Sequence, residues 1–397
     1  MAQENALSER RGFLKSAGAG LLVLKPETVF GTQANSAVEI GLVGCGGRGT
    51  WIGSMFQEFA GARIVAMADT FQDRLEGARD KLKSPSARLH RGYEAYQDLV
   101  TAKLDAVVIE SPPYSHPEQA AAAVATGKHV YLAKPVAVDV AGCKSILATS
   151  EKAQGKVSFW VDFQFRAREV FQECVDRVRK GQIGAPVLGH VYYHTGRLPR
   201  KDKPGTPEGE ARVRNWVFDK ALSGDIIVEQ NIHALDAGCW LLGGHPDKAY
   251  GTGGRKARVD VGDCWDHFAV TFWFPGDLIV DFSSTQCIKG YDIICARVYG
   301  AAGTAEMHYN GVSRITGESP WSGAEKDNTG RDGTVTNIRA FIESIRTGKP
   351  INNVAESVQS NLTAVLGRTA AYRNTVVTWE EMMRSNEALD LRLPQLS

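Results

Sequence analysis

Lys134 stands where a lysine could take part in chemistry. It comes just after His129–Leu132, an apolar segment with β-branched and aromatic members that is typical of a buried strand, and Pro135 follows it. A lysine at the end of such a strand can hydrogen-bond a hydroxyl group of a bound molecule. The alternative is a lysine whose stem packs on the fold while its ammonium group reaches solvent. We predict a catalytic Lys134 and keep the solvated lysine as the alternative.

Glu229, His233 and Asp236 form a second polar set, in a segment predicted to open a helix that continues through Trp240. Residues three and four apart share a helix face, so both carboxylates can flank the imidazole. Such a histidine suits proton transfer from an alcohol, because a carboxylate fixes its tautomer and stabilises its protonated form. The alternatives are a helix-capping and packing cluster and, less strongly indicated, a metal site.

The segment Gly44-Cys45-Gly46-Gly47-Arg48-Gly49 has the pattern G-x-G-x-x-G. It follows a predicted strand, opens a predicted helix, and has Asp69 at the end of the next strand, 25 residues after Gly44. This context is typical of a dinucleotide-binding loop, whose glycines allow a tight turn and close approach to the pyrophosphate. We predict that all six loop residues bind the dinucleotide. Asp69 would bind the ribose, which favours NAD, whereas the nearby Arg74 leaves NADP open.

The turn Ser111-Pro112-Pro113-Tyr114-Ser115-His116 follows another apolar strand, predicted at 106–110. Ligands of open α/β sheets bind outside the carboxyl ends of the strands. We therefore predict that Ser111, Pro112 and His116 bind the cofactor, and that Lys134, beyond the end of the next strand, reaches it too.

Strands and helices alternate between residues 38 and 160, which predicts an α/β, Rossmann-type domain with a parallel sheet. Between residues 161 and 397, longer strand-like runs are joined by turns such as Pro275-Gly276-Asp277. This second pattern predicts an α+β domain with a large, mostly antiparallel sheet.

Composition narrows the class of protein. The chain has 397 residues, 43% of them hydrophobic, and a formal net charge of +1. Two domains are expected at this length, and no basic bias indicates a nucleic-acid partner. None of the seven cysteines forms a C-x-x-C pair, so no metal site is predicted from them.

Residues 1–37 have the features of an export signal. Arg10 and Arg11 precede a short, mildly apolar stretch and then small residues near Ala34 and Ala37. The paired arginines resemble a twin-arginine signal, which predicts a periplasmic protein. A disordered basic tail is the alternative, and no other segment is predicted to span a membrane.

Together these motifs resemble the glucose–fructose oxidoreductase/inositol dehydrogenase/MocA family, from about Val38 to Leu393. The resemblance implies a Rossmann domain followed by an open-faced sheet domain that often mediates assembly, here into a dimer or tetramer. It also implies NAD or NADP as the cofactor and a sugar or cyclitol substrate bound with the help of the second domain. Because an exported enzyme cannot draw on cytoplasmic NAD, we expect the cofactor to be tightly held. The family lysine of the E-K-P motif corresponds to Lys134, and the D-x-x-x-H motif to Glu229 and His233.

Two positions depart from that family pattern. Ala133 replaces the usual glutamate before Lys134, which removes a carboxylate near the cofactor. Glu229 replaces the usual aspartate and is one methylene longer, which can shift His233 or the substrate. Both departures can change how the Lys134 and His233 side chains are positioned.

Three functions remain open on the sequence. The first is an NAD(P)-dependent oxidoreductase of a sugar, sugar derivative or cyclitol, with His233 as general base, Lys134 polarising or relaying, and Tyr193 as a further pocket residue. The second is a redox-neutral, NAD-dependent glycoside hydrolase or lyase, resembling α-N-acetylgalactosaminidases of this kind. The third is a non-catalytic sugar or dinucleotide sensor.

Overall fold

The computed structural model describes residues 37–323 and 331–395, so the predicted leader lies outside the described residues except for Ala37. Fifteen strands run through these residues. They are β1 (Glu39–Val43), β2 (Arg63–Asp69), β3 (Arg88–Arg91), β4 (Ala106–Ile109), β5 (His129–Leu132), β6 (Phe159–Val161), β7 (Pro186–His194), β8 (Lys248–Gly254), β9 (His267–Phe274), β10 (Leu278–Thr285), β11 (Ile293–Gly300), β12 (Gly303–His308), β13 (Arg314–Gly317), β14 (Trp321–Ser322) and β15 (Val377–Thr378).

The α-helices of the described residues alternate with the early strands and then cover one side of the later ones. They are α1 (Gly47–Ala60), α2 (Gln72–Lys81), α3 (Ala95–Thr101), α4 (His116–Ala125), α5 (Val140–Ala153), α6 (Glu169–Arg179), α7 (Glu208–Arg214), α8 (Lys220–Ser223), α9 (Ile226–Glu229), α10 (Ile232–Leu242), α11 (Arg331–Arg346), α12 (Val354–Arg373) and α13 (Trp379–Ser385).

The first sheet has six parallel strands in the order β3-β2-β1-β4-β5-β6. Helices pack on both faces, which is why β4 and β5 read as almost continuous apolar runs. The strand order reverses between β1 and β4, and a dinucleotide binds across the crevice at such a point. The predicted Rossmann architecture is confirmed.

The second sheet has nine strands in the order β14-β13-β12-β11-β7-β10-β9-β8-β15. All neighbours are antiparallel except β7 and β10, which run parallel. Buried and more accessible residues alternate along β9 and β10, because α10 and α12 lie on one face of this sheet. The predicted mostly antiparallel domain is confirmed.

The described residues from Val38 onward form one compact unit. Helix α11 follows β14 in the sequence but packs on α1 of the Rossmann part, where Phe341 meets the rings of Phe56 and Tyr131. The predicted boundary at residue 160 stays a prediction. Among the described residues, no helix is both long and apolar enough to cross a bilayer.

Candidate active site

The glycine loop joins β1 to α1 at the carboxyl edge of the six-stranded sheet. Gly44 has a φ of +89°, and a Cβ there would lie 2.4 Å from the backbone nitrogen of Ser111. A Cβ on Gly49 would lie 1.8 Å from the Gly44 carbonyl oxygen, so α1 can begin this close to β1 only with glycine. A Cβ on Gly46 or Gly47 would meet no atom of the described chain within 4 Å. The N-terminus of α1 therefore fits the phosphates of a dinucleotide.

Asp69 ends β2 beside this loop. Its carboxylate accepts hydrogen bonds from the N–H groups of Cys45 at 2.7 Å and Phe71 at 2.9 Å. Burial raises the pKa of Asp69, and the Arg74 cation works against that rise. Asp69, Arg74, Ser111 and Pro112 all line a cavity of about 250 Å³. A carboxylate has about four acceptor sites, so Asp69 keeps capacity for a ribose hydroxyl.

The last described residues cover the same cavity. We call residues 387–394 the C-terminal strap. Its Leu391 and Leu393 line the cavity with Asp69. Arg212 donates hydrogen bonds to the carbonyl oxygens of Leu391 and Arg392, and the Tyr93 hydroxyl donates to that of Pro394 at 3.1 Å. The sequence analysis did not anticipate this strap, because no local pattern in it indicates a binding partner.

The predicted cofactor role of His116 needs correction. Its ring is fully buried, with Nε2 2.9 Å from the Ser111 carbonyl oxygen and Nδ1 2.9 Å from that of Pro135. Burial lowers the pKa of His116 to about 4. Both ring nitrogens face backbone carbonyl oxygens, of which the neutral ring can donate to one, so His116 lies between the turn after β4 and the turn that presents Lys134. Ser111 lines the cavity, as described above.

Lys134 lies just beyond β5 and precedes a cis peptide bond to Pro135. Its Nζ donates hydrogen bonds to the Glu229 carbonyl oxygen at 2.6 Å and to Glu229 Oε1 at 3.3 Å. The two side chains are only 10% and 13% exposed, so solvent screens the ion pair weakly. The alternative of a solvated lysine does not describe this environment.

A break in the predicted helix makes that contact possible. The expected single helix through Trp240 is wrong: α9 ends at Glu229 and α10 begins at Ile232. In an unbroken helix the Glu229 carbonyl would accept from the N–H of His233, which instead donates to the Gln230 carbonyl at 3.4 Å. The Glu229 carbonyl is thus free to accept from Lys134.

His233 lies on the first turn of α10, with its ring packed against Phe165 and Tyr309. Its Nδ1 is buried and has no hydrogen-bond partner among the described residues. Burial lowers the pKa of His233 well below its usual value, and the cations Lys134 and Arg48 lower it further. The ring is therefore neutral near pH 7 and has a free acceptor position for a proton.

The prediction that Asp236 orients His233 is wrong. Asp236 is fully buried and accepts hydrogen bonds from Arg166, at 2.8 Å and 3.0 Å, and from the Ser360 hydroxyl at 2.7 Å. Glu229 likewise turns to Lys134 and not to His233. These three polar residues do not converge, and the described residues contain no cluster of ligands that could hold a metal ion.

Tyr193 lies on the buried face of β7. Burial raises its pKa, and the neighbouring Tyr309 and Glu229 raise it further. The structure thus brings Tyr193 near Glu229, on the side of the second sheet that faces the candidate site.

Two acidic residues of the site were missed. Glu110 follows β4 and Asp162 follows β6, and Arg48 of the glycine loop reaches both. Arg48 Nε lies 3.3 Å from Glu110 Oε2, and Arg48 Nη2 donates to Asp162 Oδ2 at 2.6 Å. The signal that singled out Lys134, a charged residue directly after an apolar strand, would have found both acids.

Two family models match the chain. One, described as an oxidoreductase family with an NAD-binding Rossmann fold, matches residues 38–163. The other, described as the GFO/IDH/MocA C-terminal domain, matches residues 171–306. Together they cover about two thirds of the 397 residues.

Relatives and solved structures agree with these matches. The chain is 24% identical over 323 residues to a myo-inositol 2-dehydrogenase of Thermotoga maritima, covering 79% of this chain and 90% of that protein. It is 29% identical over 273 residues to an inositol 2-dehydrogenase of Serratia proteamaculans, covering 68% and 74%.

The fold is similar to that of a scyllo-inositol dehydrogenase from Lactobacillus casei with bound NAD(H) and scyllo-inositol (TM-score 0.67, 19% identity, 87% of this chain and 100% of that chain). It is also similar to a levoglucosan dehydrogenase in complex with NADH and levoglucosan (TM-score 0.70, 15% identity, 86% and 99%). At these identities the likeness shows the shared fold.

Proposed function

The chain belongs to the GFO/IDH/MocA family of NAD-binding oxidoreductases, and from this premise we propose that it oxidises or reduces a carbinol carbon of a cyclitol, sugar or sugar derivative. The observation that carries the proposal is the Lys134–Glu229 pair beside the neutral ring of His233, at the sheet edge that presents the glycine loop. Two of the relatives named above are inositol 2-dehydrogenases, which supports a polyhydroxylated substrate.

The residues divide the work of oxidising an alcohol. Bound NAD supplies the hydride acceptor at C4 of its nicotinamide. Lys134 donates a hydrogen bond to the substrate oxygen and stabilises the negative charge that develops there. His233 takes the hydroxyl proton while the C–H bond gives up its hydrogen and electron pair and the C=O bond forms. Glu229 holds the Lys134 ammonium in place.

The test is to identify the nucleotide and the substrate in turn. Nucleotide released from the denatured, purified protein is expected to have the absorbance and mass of NAD. The intact protein is then offered a panel of inositols, free sugars and glycosides with added NAD. We expect NADH to accumulate with at least one inositol or sugar. Protein that binds NAD but produces neither NADH nor a new sugar from the whole panel would contradict the proposal.

The C-terminal strap favours a second candidate function. Leu391 and Leu393 line the cavity beside Asp69, which favours a cofactor that is retained between turnovers. Held by Leu391, Leu393 and Asp69, such a cofactor would supply a hydride acceptor and donor within one turnover. A sugar carbinol oxidised in this way would lose a proton from the adjacent carbon, expel the aglycone and add water before the hydride is returned. In the same panel this candidate predicts free sugar from a glycoside without net NADH, and steady NADH accumulation counts against it.

We also propose that residues 1–37 direct export by the twin-arginine route, on the strength of Arg10 and Arg11. In a bacterium with this translocase, the unaltered chain should be periplasmic and shortened. Replacing both arginines by lysine should leave it full-length in the cytoplasm, as fractionation and mass measurement would report. The exchange Lys15→Arg, which keeps the charge, serves as the control. Periplasmic recovery of the double variant would rule out this route.

A homo-oligomer formed through the outer face of the nine-stranded sheet is a further proposal. It is supported by apolar residues exposed on strands of that sheet, among them Tyr250 and Ile279. Light scattering on the purified protein would give the mass, and a monomer would contradict it.

A further inference from the structure

Three charged residues stand at the carboxyl ends of neighbouring strands. Glu110 follows β4, Lys134 lies just beyond β5, and Asp162 follows β6. In this fold a dinucleotide lies across the reversal between β1 and β4, with one half on each side. Asp69 at the end of β2 marks the adenosine side, so β4, β5 and β6 carry the nicotinamide half. Glu110, Lys134 and Asp162 thus surround the reactive half of the cofactor site.

Of these three side chains, Glu110 has the fewest hydrogen-bond partners. Its side chain is only 1% exposed, and neither carboxyl oxygen has a hydrogen-bond partner among the described residues. A Cβ on Gly44 would lie 2.5 Å from the Glu110 carbonyl carbon, and one on Gly49 3.2 Å from Glu110 Cβ. The backbone and Cβ of Glu110 thus pack directly against the glycine loop. A buried carboxylate in this state costs free energy, which an apolar side chain here would not.

Opposing charges face the Glu110 carboxyl. Burial raises its pKa to about 7, the cations Arg48 and Lys134 oppose that rise, and Asp162 adds to it. The Tyr131 phenol also lies near, beneath the same cluster. Glu110 therefore changes between a neutral and a negative group near neutral pH, while Arg48 stays positive.

We propose that Glu110 is a specificity-determining residue of the cofactor site, whose negative charge favours the oxidised over the reduced dinucleotide. The inference rests on the NAD-dependent function proposed above and extends it to the redox preference of the site. An oxidised nicotinamide ring is cationic and a reduced one is neutral, so a nearby carboxylate interacts favourably with the oxidised form only. A buried acid held at a cost in stability is typical of a functional position.

The test measures binding and needs no substrate. Dissociation constants for NAD⁺ and NADH are measured by calorimetry on nucleotide-free protein, below and above the Glu110 pKa of about 7. Their ratio cancels the titration of groups that interact equally with both forms. In the unaltered protein we expect the preference for NAD⁺ to grow about tenfold as pH rises, the size of one close, partly screened charge interaction. In Glu110→Gln the ratio should stay at its low-pH value.

Glu76→Gln, on the exposed side of α2, is the matched control and should follow the unaltered protein. Glu110→Met removes the same charge with a side chain of similar length and serves if Glu110→Gln folds poorly. A flat ratio in the unaltered protein, or an unchanged pH dependence in a folded Glu110 variant, overturns the inference. If the NAD⁺ and NADH affinities depend on pH as expected but no sugar or cyclitol is turned over, only the proposed substrate class is contradicted.

Thermal stability tests independently whether the buried Glu110 carboxyl becomes charged near neutral pH. The pKa of Glu110 is raised from 4.5 to about 7 on folding, so its contribution to stability is present below pH 4.5 and lost as pH rises through about 7. Glu110→Gln has no charge to bury. The Tm of Glu110→Gln minus the Tm of the unaltered protein should therefore be larger at alkaline pH than at acidic pH. A Tm that falls equally at every pH would indicate a packing role and overturn the inference.

Discussion

Replacing Lys134 by alanine is expected to lower kcat by about 10²–10³-fold, the usual contribution of one hydrogen-bond donor that stabilises negative charge developing on oxygen. The Lys134 ammonium is held by the carbonyl and carboxylate of Glu229, at 2.6 Å and 3.3 Å, and can stabilise the developing charge on the substrate oxygen. NAD binding should change little, because Gly44, Gly46 and Asp69 would contact the adenosine and pyrophosphate part of NAD, away from Lys134. Steady-state rates and calorimetric NAD affinity would together check this result.

Lys152→Ala is the matched control for that variant. Lys152 lies on the exposed side of α5, away from the carboxyl edge of the sheet, and its replacement should leave both kcat and NAD affinity unchanged. A Lys134→Ala protein with unaltered turnover would end the proposed role of this lysine. Loss of NAD binding together with turnover would point to a cofactor-holding role.

Replacing His233 by asparagine should lower the rate of alcohol oxidation by about 10²–10⁴-fold, because the general base is lost. The pH profile carries the more specific expectation. Burial, Lys134 and Arg48 hold the pKa of His233 well below its usual 6.5, so the ring stays neutral and able to accept a proton at pH 7. The rate should hold as pH falls to about 6.5 and drop only below it, as the ring becomes protonated. This acid limb should be absent in His233→Asn.

His245→Asn is the control, since His245 lies beyond the other end of the same helix and stacks on Trp379, 3.9 Å between ring centroids. It should keep the normal rate and acid limb. An acid limb that survives in His233→Asn would assign the base to another group. The titration of Glu110 near pH 7 is separable, because it persists in the His233 variant and disappears in Glu110→Gln.

The segment around Glu229 is where residue spacing predicted the wrong local structure. The spacing of Glu229, His233 and Asp236 correctly places polar residues near the site, yet it predicts a shared face on one helix. The structure breaks that helix after Glu229, turns the Glu229 carbonyl to Lys134, and pairs Asp236 with Arg166, 70 residues away in the chain. Residue spacing carries no information about which distant side chains compete to bind these polar groups.

The position of Glu110 bears on the replacement of the family glutamate by Ala133. The resemblance in the sequence marked Ala133 as a missing carboxylate next to Lys134. The structure places the buried Glu110 carboxyl near Lys134 from the neighbouring strand β4, so the loss at position 133 does not leave the site without an acid on this side. Which strand supplies the acid follows from the lateral order of the sheet.

By itself, the sequence determined the features that depend on local chemistry. Gly44 and Gly49 after an apolar strand specify the dinucleotide loop, because only glycine permits that turn and that close packing, and Gly46 leaves room for the phosphates. Strand and helix periodicity separates the parallel from the mostly antiparallel domain, because each element must bury one side or both. Only the tertiary structure decided the partners of the charged groups: Lys134 with Glu229, Asp236 with Arg166, and Arg48 with Glu110 and Asp162. Pairing and burial depend on which chain segments meet in space, and so do the protonation states that the chemistry needs.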